Sequence, residues 1–186
     1  MVRYIIYYYH RKVKAVSQKM HLKTKKIVMA ALMASMTCVA TMIIKIPSPM
    51  QGYMNLGDCI VLLCGWMLAP GYAFFAAGLG SALADIFSGY VIYAPATFVI
   101  KGAMALIAFV IYKLLHARLG KLPAQIIGGL LAEIFMALGY FTFEGFLYGF
   151  APSAVNIPAN AAQGAAGLIL GLALVKLFEK MKITLD

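Results

Sequence analysis

Five stretches of this chain are nearly free of charge: 27–46, 56–87, 95–115, 123–146 and 158–177. Each reaches the roughly 20 apolar residues that a helix needs to cross a bilayer. Pro95, Pro123 and Pro158 stand at three of the starts, where a missing N–H costs nothing because the first helical turn leaves it unpaired anyway. The 56–87 stretch is too long for one crossing, since a helix over all of it would extend about 48 Å against a hydrocarbon core of roughly 30 Å. Pro70-Gly71 cuts it in the middle, which predicts two short helices. The pattern therefore predicts an all-α membrane protein, a six-transmembrane-helix bundle.

Charge sets the orientation. Eight basic residues precede the first span (Arg3, Arg11, Lys12, Lys14, Lys19, Lys23, Lys25, Lys26), three lie at 113–121 and three in the tail (Lys176, Lys180, Lys182). With two crossings in 56–87 all of these fall on one side, leaving Lys45 and Lys101 toward the other; with one crossing, six of them move across. The positive-inside bias selects six spans with both termini cytoplasmic, a multi-pass cell-membrane protein. The net charge of +10 is then chiefly a topological anchor with weak attraction for anionic lipid. It does not imply nucleic acid, because no soluble domain presents a basic face.

Composition agrees: 63% hydrophobic and 12% charged, against about half and a quarter in a soluble domain. This excludes a disordered chain, a disulfide scaffold and an ordinary cytosolic enzyme. Cys38, Cys59 and Cys64 lie in apolar runs and read as small buried hydrophobes rather than a disulfide or zinc set. No cleavable signal peptide is expected. Residues 1–22 are read as a basic cytoplasmic segment, 23–182 as the membrane domain and 183–186 as a tail. Met20 opens a more usual beginning, so 1–19 are expected to be a mis-called start or a dispensable extension.

The polar residues inside these spans are costly, and so are the first candidates for function. Counted along the helices at 1.5 Å per residue, nearly all fall in the outer half. Asn55 and Asp58 are at the mouth of the second span, Asp85 near the end of the third, and Tyr90, Tyr93 and Thr97 lead into the fourth. Lys101 is roughly 9 Å below Pro95. Glu144, Asn156, Asn160 and Gln163 belong to the outer parts of the last two. Glu133 alone sits near mid-membrane. A proton pathway needs relays through both halves, whereas an outward pocket for a polar small molecule needs this distribution. Carboxylates, amides, tyrosines and a lysine can hydrogen-bond such a molecule, and Trp66, Phe98 or the tyrosines can stack on a flat ring. Mutual neutralisation of Asp85 and Lys101, and helix capping by the asparagines, are the structural alternatives.

Small residues at a spacing of four in the first span, Ala30 and Ala34 with Ala31 and Ser35 beside them, offer a close-approach face for another helix. No nucleotide-binding loop, metal-ligand helix, nucleophile elbow or Cys/His pair is present, so no metal or cofactor is implied and any ATPase must come from a partner.

The segments Gly52-Tyr-Met-Asn-Leu-Gly-Asp58, Gly65-Trp-Met-Leu-Ala-Pro-Gly71, Gly78-Leu-Gly-Ser-Ala-Leu-Ala-Asp85, Ser88-Gly-Tyr90 and Tyr93-Ala-Pro-Ala-Thr-Phe-Val-Ile-Lys-Gly102 resemble the S components of energy-coupling factor (ECF) vitamin transporters, in the branch with riboflavin, pyridoxine and hydroxymethylpyrimidine carriers. The resemblance covers about 23–182. It implies a non-enzymatic subunit that captures a water-soluble vitamin or precursor at the extracellular side, with a pyridoxine- or hydroxymethylpyrimidine-like molecule ahead of riboflavin. It further implies a transmembrane coupling subunit and two ABC-type ATPases as partners. Carried onto this chain, it places Asn55, Tyr93, Lys101, Glu144, Asn156, Asn160 and Gln163 at the vitamin, Asp58 and Asp85 as site or structural residues, and Ala30 and Ala34 against the coupling subunit. The competing functions are a stand-alone proton-coupled transporter using Asp58, Asp85 or Glu133, and an intramembrane enzyme built around Glu133.

Overall fold

A computed structural model describes residues 2–48 and 52–181, the side chains of 2–19 and 21 excepted. The chain is helical almost throughout. Helix α1 runs Val2–Ile43, followed by the strands β1 (Lys45–Pro47) and β2 (Tyr53–Asn55), then α2 (Gly57–Met67), α3 (Pro70–Phe87), α4 (Ala94–Leu119), α5 (Lys121–Tyr148), the short α6 (Phe150–Ser153), a 3₁₀ turn (Ala154–Asn156) and α7 (Ile157–Lys180). Among the described residues, four helical segments are long and apolar enough to cross a membrane: Leu22–Ile43, Ala94–Leu119, Lys121–Tyr148 and Phe150–Lys180.

The first span differs from expectation at both ends. It is continuous with the helix that begins at Val2, so the basic segment and the span form one rod. At the other end, residues 44–46 are not helical. The residue before a proline is pushed out of the α region, and Pro47 follows Ile46. The chain turns into a two-stranded antiparallel hairpin with Lys45 opposite Asn55, Ile46 opposite Met54 and Pro47 opposite Tyr53. That hairpin lies outside the helix-only reading. The expected tail at 183–186, and Lys182, lie outside the described residues.

The break in 56–87 falls where Pro70 predicts it. Ala69 is extended (φ −65°, ψ 150°), as a residue before proline must be, and Pro70 begins α3 at the first turn. Helix α2 has 11 residues, about 16 Å of rise and too short to span alone. Every residue from Gly57 to Trp66 is buried, because α1, α3, α4, α5 and α7 surround it. Glycines permit the approach: a Cβ on Gly65 would lie 2.5 Å from the Ala105 carbonyl oxygen, and one on Gly80 2.4 Å from that of Ala34. Between α4 and α5 the connection is the single residue Gly120, at φ +84° and ψ 169°, a positive-φ conformation that glycine adopts without a Cβ clash.

Large apolar side chains such as Leu32, Val39, Phe75, Val99, Leu138 and Ile169 are exposed along the outer helices. A surface of that kind suits hydrocarbon as solvent. Thr37, Asp58, Lys101 and Glu133 are buried inside the bundle.

Candidate functional site

Beside the hairpin, the ends of α3, α4, α5 and α7 enclose a cavity of about 40 Å³. Six elements contribute. Tyr53 and Asn55 come from β2, Asp85 from α3, Tyr93 and Thr97 from the start of α4, Tyr140 and Glu144 from α5, and Asn156, Asn160 and Gln163 from the 3₁₀ turn and α7; Ser48, Gly52 and Tyr90 complete the wall. Proline at the starts of α4 and α7 fixes where these helices begin, and so which polar residues face inward at this end.

The wall is closely hydrogen-bonded. Tyr53 donates to Asp85 Oδ1 at 2.8 Å, and burial together with the Asp85 carboxylate pushes the Tyr53 phenol far up, so it remains a donor. Burial, with help from the Glu144 carboxylate, does the same for Tyr93, which donates to Glu144 Oε1 at 3.4 Å. Asn156 Nδ2 donates to Glu144 Oε2 at 2.9 Å. Thr97 and Tyr140 share a hydrogen bond of 3.0 Å. The rings form an aromatic train: Tyr53 and Tyr90 centroids are 4.7 Å apart, Tyr90 and Tyr93 6.3 Å, Tyr93 and Phe143 5.4 Å. Among the described residues, Asp85 Oδ2 has no hydrogen-bond partner and the Asn160 amide on the wall makes no hydrogen bond.

Below the cavity lies a buried ion pair, Lys101 with Asp58, their side chains 3% and 0% exposed. Gln163 links it to the wall. Its Nε2 donates to Asp58 Oδ2 at 2.7 Å, while its Oε1 accepts from the Asn55 backbone N–H at 2.9 Å. Asn55 Oδ1 in turn accepts from the Gly57 N–H at 2.9 Å. The hairpin is thus tethered to the bundle core through one glutamine. Deeper still, both carboxyl oxygens of Glu133 are buried without a hydrogen-bond partner among the described residues, packed against Gly164 and Gly167 of α7.

A family model described as "ECF-type riboflavin transporter, S component" matches residues 21–180. The chain belongs to that family. As an S component it is a substrate-binding membrane subunit of an ECF transporter, a class that binds a small vitamin and works with an energy-coupling module. A protein from Pyrococcus woesei, described as an uncharacterized protein in the gap 3′ region, is 35% identical over 143 residues, covering 76% of this chain and 93% of that one. The fold matches a solved chain from work described as the structure and mechanism of the S component of a bacterial ECF transporter, with a TM-score of 0.70 at 22% identity over 86% of this chain and 98% of that one.

In this S component the cavity wall includes six of the seven residues anticipated at the vitamin, Asn55, Tyr93, Glu144, Asn156, Asn160 and Gln163, and also Asp85. Lys101 is the exception. It does not line the cavity, and its partner is Asp58 rather than Asp85; Asp85 is taken by Tyr53. The reason is register: Lys101 lies seven residues into α4, about 10 Å deep, at the level of the first turn of α2. Trp66 and Phe98 do not stack at this cavity either. Trp66 packs between Gly129 and Gly171 near the opposite end of α2, and Phe98 packs against Gly78 and Phe74. Tyr53 and Tyr140 were not anticipated. Tyr140 is four residues from Glu144 on one helix face, a spacing that was available to find it. Tyr53 shares a strand face with Asn55, but only once a strand is known to be there.

Ala30 and Ala34 are half-buried and pack against the core of this chain, Ala34 with its carbonyl oxygen close to Gly80. Ala31, Leu32, Ser35 and Val39 form the exposed edge of α1.

Proposed function

We propose that this protein captures a vitamin with a planar ring at the hairpin end of the bundle, from the extracellular side, and delivers it to a coupling subunit powered by two ABC-type ATPases. The chain crosses the plasma membrane six times in this reading, α2 and α3 forming a short pair, with the basic end cytoplasmic. The observation that carries it is the cavity itself: four tyrosines, two carboxylates and four amides converge at the end of the bundle away from the lysine-rich ends of α4, α5 and α7. Such a wall stacks on a ring and hydrogen-bonds its rim. Neither Asp85 nor Glu144 forms a salt bridge among the described residues, which favours neutral or cationic ligands. The cavity has room for about three waters by volume, so a vitamin must swing the tyrosine rings apart. Riboflavin is the first ligand to test because the family description specifies it; pyridoxine and hydroxymethylpyrimidine are the single-ring comparisons. Mass spectrometry of small molecules that co-purify with the chain tests this, and recovery of no vitamin, combined with failure to bind any of the three, would overturn it.

One observation favours a second reading. Glu133 is a buried carboxyl without a hydrogen-bond partner among the described residues, as a proton carrier would be. Uptake into vesicles without ATPase subunits, abolished by a protonophore, would support that reading.

A further inference from the structure

Helix α2 stops well short of its neighbours, and the space beneath it is a second cavity. Gly65 of α2 meets Ala105 and Ala108 of α4, and Trp66 meets Gly129 of α5 and Gly171 of α7. From those levels α4 continues to Leu119, α5 reaches back to Lys121 and α7 continues to Lys180, about 16–21 Å, about 12 Å and about 14 Å further at 1.5 Å per residue. Pro70 prevents α2 from following them. What remains is a notch of about 710 Å³ roofed by the α2–α3 joint, Trp66 to Pro70. Its depth is close to that of one leaflet, half of a roughly 30 Å hydrocarbon core.

The lining is graded along that depth. Near the roof are Met29, Trp66, Met67, Leu68 and Phe109; at the rim are Lys26, Lys113, His116 and Lys121. Lys121 is already engaged with Glu179 at 3.0 Å. Lys26 and Lys113 have no acidic partner among the described residues, and Lys113 Nζ lies 5.9 Å from the Phe109 ring centroid. Two uncompensated cations at the mouth and an apolar, aromatic vault above them match an amphiphile with an anionic head.

We propose that this notch is a binding site for one anionic phospholipid, its phosphate held by Lys26 and Lys113 and its acyl chains rising to Leu68 and Trp66. The proposal rests on the orientation given above, in which this end faces the cytoplasmic leaflet. A phospholipid fits better than a free anion because Met29, Met67, Leu68, Phe109 and Val175 line the notch along with the cations, and a free anion would leave that apolar surface uncovered.

The test uses the full chain purified in detergent and titrated with phosphatidylglycerol, with phosphatidylcholine or with inorganic phosphate. Retained lipid is counted by native mass spectrometry and riboflavin binding is followed on the same samples. One phosphatidylglycerol is expected to be retained per chain in preference to phosphatidylcholine. Lys26→Gln with Lys113→Gln is expected to weaken it roughly 30-fold, from about 1 kcal/mol for each cation. The paired control Lys23→Gln with Lys25→Gln, outside the notch, should change retention little. Equal loss in both pairs would mean diffuse attraction and would overturn the site. So would equal retention of phosphatidylcholine, or displacement of the lipid by inorganic phosphate. Vitamin binding separates the two proposals: lipid failure with riboflavin retained sinks only this one, whereas loss of riboflavin binding in the wild-type chain strikes the vitamin reading and leaves the lipid count to stand or fall by itself.

Discussion

In the proposed reading Lys101 supports the cavity from below without lining it, and this can be tested by separating its charge from its partner's. Lys101→Met preserves most of the apolar stem and removes the ammonium. Asp58, fully buried, then keeps only the 2.7 Å hydrogen bond from Gln163. Removing one member of a buried ion pair costs about 3–5 kcal/mol. For a chain of this length 1 kcal/mol moves the thermal midpoint by about 2–4 °C, so the variant should melt about 6–20 °C lower. Riboflavin binding should weaken too, because Gln163 holds both Asp58 and the hairpin N–H of Asn55. Adding Asp58→Asn removes the stranded charge while leaving an oxygen able to accept from Gln163. The double variant should therefore recover at least half of the lost stability and, with it, most of the binding. The assay is a thermal-unfolding series in one detergent, paired with ligand titration of the same samples. A midpoint within about 2 °C of wild type for the single variant, or a double variant no better than the single, would refute the reasoning. Recovery of stability without recovery of binding would instead make Lys101 a direct ligand contact.

Asn160→Ala removes a wall amide with no hydrogen bond among the described residues, so binding should fall by the worth of a hydrogen bond, about 0.5–1.5 kcal/mol or roughly 2–13-fold, with the thermal midpoint unchanged; calorimetric titration checks this. Gly80→Ala forces a Cβ to 2.4 Å from the Ala34 carbonyl oxygen and should destabilise by about 1–3 kcal/mol through overpacking between α1 and α3, read as a lowered midpoint. The Tyr53 phenol is raised in the folded chain by burial and by Asp85, so the fold favours its protonated form. That contribution is present below the unfolded value of about 10 and is lost as pH rises above it, so Tyr53→Phe should show a shallower alkaline loss of stability in thermal scans. Ala31→Leu with Ser35→Leu alters the exposed edge of α1 and should block co-purification with a coupling subunit while sparing vitamin binding; Ala30→Leu with Ala34→Leu is less diagnostic, because those positions pack within the chain.

Much of this architecture follows from local rules that a sequence displays. Pro70 sets the break between α2 and α3, and the prolines at 95 and 158 mark helix starts. The clustering of Asn55, Tyr93, Glu144, Asn156, Asn160 and Gln163 at one end follows from counting residues along helices of known rise. What local pattern could not reveal is which helix faces which. The Lys101–Asp58 pairing depends on the depth at which α4 passes α2, and hydropathy carries no information on that. Asp85 and Asp58 are chemically equivalent in a linear reading, and only Tyr53, brought over by the hairpin, distinguishes them. The hairpin was hidden because its two short strands sit among prolines and apolar residues that read equally well as loop or helix end. The roles expected of Trp66 and Phe98 failed for a related reason: an aromatic residue in an apolar helix serves core packing as readily as ligand stacking, and glycines on the facing helices decide the matter.

Equilibrium titration of riboflavin into the purified chain, without coupling or ATPase subunits, tests the central claim most directly. The account predicts saturable binding of one riboflavin per chain, with quenched flavin fluorescence from stacking on the tyrosines, weakened by Asn160→Ala and unaffected by ATP. Absence of binding by riboflavin and by the single-ring vitamins alike, or binding that Asn160→Ala and Tyr93→Ala leave unchanged, would contradict it.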